Sequence, residues 1–175
     1  MSEVKLFIAA SLDGYIARKD NSLGFLNDIR VEGEDYGYSA FLDGIDVIVM
    51  GRSTYQEILA FGVQWPYESR QIFIVSTNKD LEIPTPNTSL INTYDEETIQ
   101  TLKDQSEKGV WLVGGGKLIK NTLAVQALDS FVISIIPVLL GDGIPLFPKG
   151  FDEQKLNLEK VDSFASGVVN LHYKK

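Results

Sequence analysis

The sequence predicts an α/β domain whose mostly parallel sheet ends in a C-terminal antiparallel hairpin. Nearly continuous apolar runs alternate with helical patterns as far as residue 124, which is typical of buried parallel strands joined by crossover helices. From residue 130 onward, strand patterns dominate, and no helix separates the last two. Because 175 residues suit one compact unit and no linker or repeat interrupts them, we expect a single domain over residues 1–175.

Hydrophobic periodicity places the individual elements. Short apolar runs bounded by turn residues predict strands, and apolar residues spaced three or four apart predict helices. In the parallel part, strands are predicted at 4–10, 46–50, 71–75, 89–91 and 110–113, and helices at 34–42, 55–61, 95–108 and 117–124. The later strands are predicted at 130–140, 156–164 and 168–173, with Ala165-Ser166-Gly167 as the hairpin turn.

Two of the helices carry signals at their ends. Thr54, followed three residues later by Glu57, matches a capping box and predicts that a helix starts at this turn. The helix at 95–108 has an acidic first turn and ends at Lys108-Gly109, so its charges complement the helix dipole.

Composition excludes several classes of function. The chain has no cysteine, so disulfides, thiol catalysis and thiolate metal sites are ruled out. Its one histidine, His172, lies in an alternating strand pattern and is expected to be a half-exposed sheet residue. We therefore expect no metal site and no serine–histidine–aspartate triad. A net charge of −8 argues against a nucleic-acid partner, although a local pocket can still hold one small anion.

The chain also lacks the patterns of secreted and membrane proteins. Its first ten residues have no basic lead or cleavage pattern, so no signal peptide is expected. The longest apolar stretch, near 131–140, is too short to span a bilayer. We expect a cytoplasmic protein without a membrane partner.

Three turns at the ends of predicted strands carry residues suited to an anionic ligand. In open α/β sheets, ligands bind beyond the carboxyl ends of the strands, where helix N-termini offer free amides. The first turn is Gly51-Arg52-Ser53-Thr54, the second contains Ser76 and Thr77, and the third is Gly114-Gly115-Gly116-Lys117. None matches a Walker loop or the G-x-G-x-x-G fingerprint. Taken alone, each turn is also explained as an ordinary tight connection or loop without a ligand. Taken together, the three turns predict a nucleotide cofactor along one sheet edge.

These turns also belong to a longer series of segments that resembles a known family. SLDGYIA, DVIVMGRSTYQEI, IFIVST, VWLVGGGKLIKNTL and IPVLLGDGIPLF occur in the order and at the spacing of the dihydrofolate reductase superfamily. Among its branches, the chain is most similar to the C-terminal reductase domain of the bifunctional riboflavin-biosynthesis protein. The resemblance implies a three-layer α/β/α fold with an eight-stranded sheet, an NADPH cofactor and reductase activity.

The resemblance also implies roles for particular residues. Gly51, Arg52, Ser53 and Thr54 would hold the cofactor phosphates, with Arg52 and Ser76 near the 2′-phosphate. The hydroxyl of Thr77, in the same turn as Ser76, is likewise suited to an adenosine phosphate. Gly114, Gly115, Gly116, Lys117 and Leu118 would pass beneath the pyrophosphate and the nicotinamide ribose. Ala10 and Ile16 would bracket the nicotinamide, and the loop over 17–28 would be a mobile lid.

The substrate half of the resemblance is weaker. Asp35 falls where dihydrofolate reductases place a catalytic carboxylate, but a solvated acid near a helix start explains the same residue. The lid lacks the tryptophan usual in dihydrofolate reductases, and Phe25 is its nearest aromatic residue. The arginine-containing substrate-phosphate motif of the pyrimidine reductases is replaced by FGVQWPYESR, in which Arg70 is either a substitute or an ordinary loop residue.

Three functions remain open on the sequence, beside a purely structural α/β domain that binds no nucleotide. The leading hypothesis is hydride transfer from NADPH to a small heterocyclic or carbonyl substrate, as in 5-amino-6-(5-phosphoribosylamino)uracil reductase. The alternatives are a pterin reductase of the dihydrofolate reductase type and a nucleotide- or small-molecule-binding protein without turnover. A homodimer is also expected, with SFVISIIPVLLG and the final hairpin either at the dimer contact or inside the monomer.

Overall fold

The computed structural model describes residues 2–175 and shows ten strands and four α-helices. The strands are β1 (Val4–Ser11), β2 (Tyr15–Ala17), β3 (Val47–Gly51), β4 (Gln71–Val75), β5 (Thr88–Ile91), β6 (Val110–Gly114), β7 (Ser130–Ile136), β8 (Ile144–Pro145), β9 (Asn157–Ser163) and β10 (Val169–Lys174). The helices are α1 (Tyr38–Asp43), α2 (Arg52–Ala60), α3 (Glu96–Gln105) and α4 (Gly116–Ala124), and a 3-10 helix spans Gly24–Leu26.

Eight of the strands form one sheet, in the order β5-β4-β3-β6-β1-β7-β10-β9. The strands from β5 to β7 pair in parallel, and β10 pairs antiparallel with both β7 and β9. The remaining strands, β2 and β8, form a separate antiparallel pair. The predicted fold class, a three-layer α/β/α arrangement with an eight-stranded, mostly parallel sheet, is confirmed.

Two helices pack on each face of the sheet. On one face, α3 and α4 contribute Ile99, Leu102, Ile119 and Leu123 to a core built mainly on β1, β6 and β3. On the other face, α1 and α2 cover an aromatic core in which Trp111 of β6 lies at the centre. Each pair of helices therefore packs its apolar side chains against the middle strands of the sheet, which removes apolar surface from water.

The aromatic core joins α1 to the loop after α2. The ring of Tyr67 packs edge-on against Trp111, with their centroids 5.8 Å apart, and its hydroxyl lies 3.2 Å from that of Tyr38. Burial raises the pKa of both Tyr38 and Tyr67, so both hydroxyls stay protonated and share one hydrogen bond.

The sequence misplaced the ends of several elements: α3 ends at Gln105 and not at 108, and β7 ends at Ile136 and not at 140. The first helix begins at Tyr38, not at residue 34, because the preceding residues form turns. The capping box is wrong: α2 begins at Arg52 with Gly51 as its N-cap, and no side chain caps it. Thr54 therefore lies within the first turn of α2. The turn at Ala165-Ser166-Gly167 is confirmed, with Gly167 at φ +85° and its amide bonded to the carbonyl of Phe164.

A buried hydrogen-bond network fixes the approach to α1. The amide of Asn170 on β10 donates to the backbone carbonyl of Tyr36 at 2.7 Å and accepts from the hydroxyl of Ser134 on β7 at 2.7 Å. Asn170 is 2% exposed, so these bonds are shielded from water. The segment before α1 is thereby attached to the antiparallel end of the sheet.

We predict that Asn170→Leu lowers the free energy of unfolding by about 2 kcal/mol, because each buried polar group left without a partner costs about 1–3 kcal/mol. Urea denaturation measures the change. The control is Asn157→Leu, at an exposed asparagine of β9, which is expected to change stability by less than about 0.5 kcal/mol. Equal stability of Asn170→Leu and the unaltered chain would contradict the assigned role of the network.

Among residues 2–175, none of the helices combines the length and the apolar character needed to cross a membrane.

Candidate functional site

The three turns singled out in the sequence lie side by side at one edge of the sheet. Parallel pairing aligns Gly51 with Val75, the residue before Ser76, and aligns Met50 with Gly114. The strand order places β4, β3, β6 and β1 next to one another, so all their carboxyl ends meet here. The three turns and Ala10 thus share the edge at which α/β proteins bind ligands.

The backbones of the first and third turns approach each other closely. A Cβ atom added at Gly51 would lie 3.7 Å from the amide nitrogen of Gly115 and 3.8 Å from the carbonyl oxygen of Gly114. Gly114 has φ +133°, a conformation that side chains disfavour, and the Gly114–Gly115 peptide bond is cis. The glycines therefore leave a shallow bed of backbone between α2 and α4.

The helices that begin at this bed have uncapped N-termini. Neither Gly51, the N-cap of α2, nor Gly115, the N-cap of α4, supplies a side-chain cap, and neither first turn contains an acidic residue. In contrast, α3 is capped by Asp95, whose carboxylate accepts from the amide of Thr98 at 2.9 Å. The free amides of α2 and α4 therefore suit an anion, with which the helix dipoles interact favourably.

Several polar side chains around the bed are available to a ligand. Arg52, Ser53 and Lys117 are exposed and have no hydrogen bond or ion pair within residues 2–175. Thr54 is half-buried, and its Oγ1 lies 3.7 Å from the position of a Cβ atom at Gly115. Leu118 is buried beneath the bed, with Cδ1 3.8 Å from the position of a Cβ atom at Gly51.

The second turn is more constrained. Ser76 is buried, and its Oγ accepts a hydrogen bond from the amide of Asn78 at 3.1 Å. Its hydroxyl hydrogen remains able to donate to a ligand. The side chain of Asn92 holds the carbonyl of Ser76 at 2.8 Å, which fixes the turn, while Thr77 is exposed.

The two residues expected around the nicotinamide lie at the β1 end of the same edge. Ala10 is fully buried in β1 and pairs with Ile135 of β7. Ile16 is half-buried in β2 and packs against the same core. Their roles, like those of the other cofactor residues, stay predictions.

A clamp between two segments, which the sequence analysis did not identify, holds this end of the site. Asp13 accepts hydrogen bonds from the Ser11 hydroxyl at 2.6 Å and from the backbone amides of Leu140 and Gly141 at 3.1 and 2.7 Å. These bonds, that from Ser11 foremost, hold the pKa of Asp13 below its ordinary value of 3.8. The clamp joins the LDG and LLGDG segments, a contact that sequence order alone does not reveal.

Residues 17–28, the expected lid, are attached at both ends. Lys19 forms an ion pair with Asp142, and the guanidinium of Arg18 lies 5.9 Å from the ring centroid of Phe25. Phe25 itself is buried with Ile136 and Val168, so it anchors the segment to the end of β7. The mobility of this segment stays a prediction.

The residues expected on the substrate side are held in structural contacts. The carboxylate of Asp35 is exposed and accepts from the amides of Gly37 and Ser39 at 2.9 and 3.0 Å. Hydrogen bonds, chiefly from Ser39, lower its pKa, which favours the ionised form. Arg70 donates to the carbonyls of Ile45 and Leu42 at 3.2 and 3.0 Å, at the amino ends of β3 and β4, so it is a structural loop residue.

Comparisons with known proteins agree with this architecture. A solved dihydrofolate reductase from Enterococcus faecalis, complexed with NADP(H), superposes with a TM-score of 0.66 at 15% identity, covering 98% of this chain and 95% of that one. The chain thus has the dihydrofolate reductase fold. The family model of the RibD C-terminal domain matches residues 2–170. The chain belongs to this family.

Two relatives are similar over nearly their whole length. The uncharacterised protein YwjB of Bacillus subtilis (strain 168) is 35% identical over 168 residues, which cover 96% of this chain and 95% of YwjB. The solved structure of a candidate riboflavin biosynthesis protein from Shewanella sp. PV-4 is 31% identical, with a TM-score of 0.87 and 98% of both chains covered.

We predict that Asp13→Asn lowers the melting temperature at pH 7, because an amide accepts fewer of the three bonds than a carboxylate does. Since the pKa of Asp13 is lowered by folding, its contribution is complete above about pH 4 and is lost as the pH falls through the folded-state value. The difference in melting temperature from the unaltered chain should therefore shrink at acid pH.

Thermal unfolding followed by circular dichroism between pH 2.5 and 7 tests this prediction. The control is Asp152→Asn, because Asp152 is exposed and makes no hydrogen bond or ion pair within the described chain. A melting-temperature difference for Asp13→Asn that stays constant over this pH range would exclude the ionised clamp.

Proposed function

We propose that this protein is an NADPH-dependent reductase of the riboflavin-biosynthesis type. The observation that carries the proposal is the juxtaposition of two uncapped helix N-termini, a glycine bed and unpartnered cationic side chains at one sheet edge. An acidic chain that concentrates these groups at the carboxyl ends of its central strands has a surface suited to a dinucleotide. Membership in the RibD C-terminal domain family and the NADP(H) held by a reductase of the same fold support this choice.

The residues at the edge fit the parts of NADPH. The free amides of α2 and α4 would bind the pyrophosphate, with the glycine bed beneath it. Arg52 would bind the adenosine 2′-phosphate as a charge-assisted, two-pronged donor, assisted by the hydroxyl of Ser76. Lys117 would offset the remaining negative charge. NADH has a hydroxyl where NADPH has the 2′-phosphate. Arg52 and Ser76 would therefore make this protein prefer NADPH to NADH.

When bound, the nicotinamide supplies the hydride for the reaction. Ala10 and Ile16, at the β1 end of the edge, would position the nicotinamide ring, and residues 17–28 would exclude water from it. The Asp13 clamp keeps the β1–β2 turn, which joins Ala10 to Ile16, fixed against the β7–β8 loop. Orientation is therefore the main contribution of this chain to the rate.

The proposed substrate is a ribosylamino-pyrimidine phosphate, which gains a hydride and a proton as its sugar opens to a ribityl chain. The family and the Shewanella relative, assigned to riboflavin biosynthesis, favour this substrate over dihydrofolate. We assign Asp35 to the substrate side of the site. Its lowered pKa suits an acceptor of substrate hydrogen bonds better than a proton donor.

The role of Arg52 predicts a selective loss of cofactor affinity. Arg52→Ala should raise the Kd of NADPH by about ten- to a hundredfold, because hydrogen bonds to charged groups contribute about 1.5–3 kcal/mol. The Kd of NADH should change by less than about threefold, since NADH has no 2′-phosphate. Isothermal titration calorimetry measures both values.

The matched control for this measurement is Arg30→Ala, at an exposed arginine whose side chain makes no hydrogen bond or ion pair in the described residues. Its NADPH affinity should equal that of the unaltered chain. Equal losses of NADPH and NADH affinity in Arg52→Ala would refute the assignment of Arg52.

Turnover separates the three functions that the sequence left open. NADPH oxidation at 340 nm should depend on a ribosylamino-pyrimidine phosphate and not on dihydrofolate. Asp35→Asn should raise the KM for the pyrimidine and leave the NADPH Kd unchanged. Oxidation with dihydrofolate alone would establish a pterin reductase, and NADPH binding without oxidation across pyrimidine, pterin and quinone panels would establish a binding protein.

A further inference from the structure

The backbone around Asp35 has an unfavourable conformation. Tyr36 and Gly37 are both left-handed, with φ +56° and +80°, and a bulky side chain disfavours this conformation at Tyr36. Such a backbone persists where the surrounding structure holds it in place. The carboxylate of Asp35 caps the turn by accepting from the amides of Gly37 and Ser39. We call residues 35–39 the Asp35 turn.

The side chain of Asn170 attaches the Asp35 turn to the sheet. The bonds that Asp35 makes within the turn are exposed to solvent, so they shape the turn without fixing its place on the sheet. In contrast, the amide nitrogen of Asn170 donates to the Tyr36 carbonyl from a buried position. Its amide oxygen accepts from the Ser134 hydroxyl, which orients the nitrogen toward Tyr36, because each end of an asparagine amide has one role.

Strand register places this attachment next to the proposed nicotinamide position. Asn170 on β10 pairs with Ser134 on β7, and Ser134 pairs with Ala9 on β1. Paired residues point to the same face of a sheet, and neighbouring strands lie about 4.8 Å apart, so Asn170 is about 10 Å from Ala9. Ala9 directly precedes Ala10, the residue expected at the nicotinamide. Tyr36 and Ala9 also belong to one apolar cluster.

We propose that Asn170 is a positioning residue for the substrate: by holding the Tyr36 carbonyl, it keeps the carboxylate of Asp35 beside the nicotinamide end of β1. The inference rests on the proposed function, in which Asp35 accepts hydrogen bonds from the substrate. Asn170 is buried beneath the turn and acts through it, without touching the substrate. Small displacements of a binding group reduce its contribution strongly, so the place of the turn matters for the reaction.

Other contacts keep the turn packed when this hydrogen bond is removed. The ring of Tyr36 packs edge-on against Phe164, with centroids 4.9 Å apart, and its hydroxyl donates to the carbonyl of Ile29. Without Asn170, the backbone of Tyr36 is free to leave the left-handed conformation while its ring stays in the core. Asn170→Leu should therefore shift the Asp35 turn without unfolding the chain.

Steady-state kinetics with NADPH and a ribosylamino-pyrimidine phosphate test the proposal. Asn170→Leu should raise the KM of the pyrimidine about tenfold or more, as expected for a lost hydrogen bond to a charged group, and leave the NADPH Kd unchanged. Ser106→Ala is the matched control. The buried Ser106 hydroxyl donates to Asp46 at 2.6 Å before β3, at the amino ends of the strands, so this variant loses a hydrogen bond away from the site. Its KM should be unchanged.

A double variant separates positioning from a general loss of stability. If Asn170 acts through Asp35, Asn170→Leu combined with Asp35→Asn should have the KM of Asp35→Asn alone, within about twofold. A KM increase equal to the product of the two single increases would show independent action and overturn the proposal. An unchanged KM in Asn170→Leu, or an equal increase in Ser106→Ala, would also overturn it.

The pKa of Asp35, measured by carbon-13 NMR, distinguishes failure of this inference from failure of the proposed function. Hydrogen bonds within the turn, chiefly from Ser39, lower this pKa, so a displaced turn should let it rise toward 3.8 in Asn170→Leu and not in Ser106→Ala. An unaltered chain without turnover refutes the proposed function alone. An Asp35 pKa that Asn170→Leu leaves unchanged overturns the role of Asn170, with or without turnover.

A second variant serves if Asn170→Leu fails to fold. The carboxylate of Asn170→Asp still accepts from the Ser134 hydroxyl but has no hydrogen to donate to the Tyr36 carbonyl when ionised. The same rise in KM and the same rise in the pKa of Asp35 are expected. Values equal to those of the unaltered chain would overturn the proposal.

Discussion

The parallel pairing of β6 between β3 and β1 is the constraint on which the site depends. It brings the turn after residue 114 beside the turn after residue 51, although more than sixty residues separate them in the chain. A side chain at Gly51 would place its Cβ atom 3.7 Å from the amide nitrogen of Gly115, in van der Waals contact with the third turn. The two turns are therefore neighbours because β6 pairs with β3.

The helices that begin at this edge differ in whether a side chain caps their N-terminus. All three helices that follow parallel strands start with free amides, which a capping side chain or a ligand can satisfy. Asp95 satisfies those of α3, and nothing equivalent exists at Gly51 or Gly115. The cap of α3 satisfies its free amides within the chain, whereas those of α2 and α4 stay free of side-chain caps.

The antiparallel strands β10 and β9, at one end of the strand order, lack a helical layer on one of their two sides. The crossover helices end with α4, so the antiparallel strands that follow receive no helical layer of their own on that side. The alternation of the last strand still places its apolar residues there, and the Asn170 network secures the other side. A sheet that is wider than its helical layer thus presents an apolar face next to the β1–β2 turn.

Local patterns determined much of this protein. The strand runs, the hairpin turn and the three ligand-type turns are visible in the sequence because burial and turn geometry act over a few residues. The helix start at Thr54 was wrong because a capping box is only a local preference, and here the backbone leaves β3 directly into the helix at Arg52. Asp35 and Arg70 were chosen by position in the chain, and the structure shows the backbone groups that each of them binds.

Only the tertiary structure decided which distant residues act together. The Asp13 clamp joins residues more than 120 positions apart, and the Asn170 network joins the last strand to the segment before α1. No local sequence pattern predicts the clamp or the network, because these hydrogen bonds depend on strand order and register and not on spacing along the chain. The composition of the GRST and GGGK turns predicts an anion site. That the two turns lie side by side was decided by the pairing of β6 with β3.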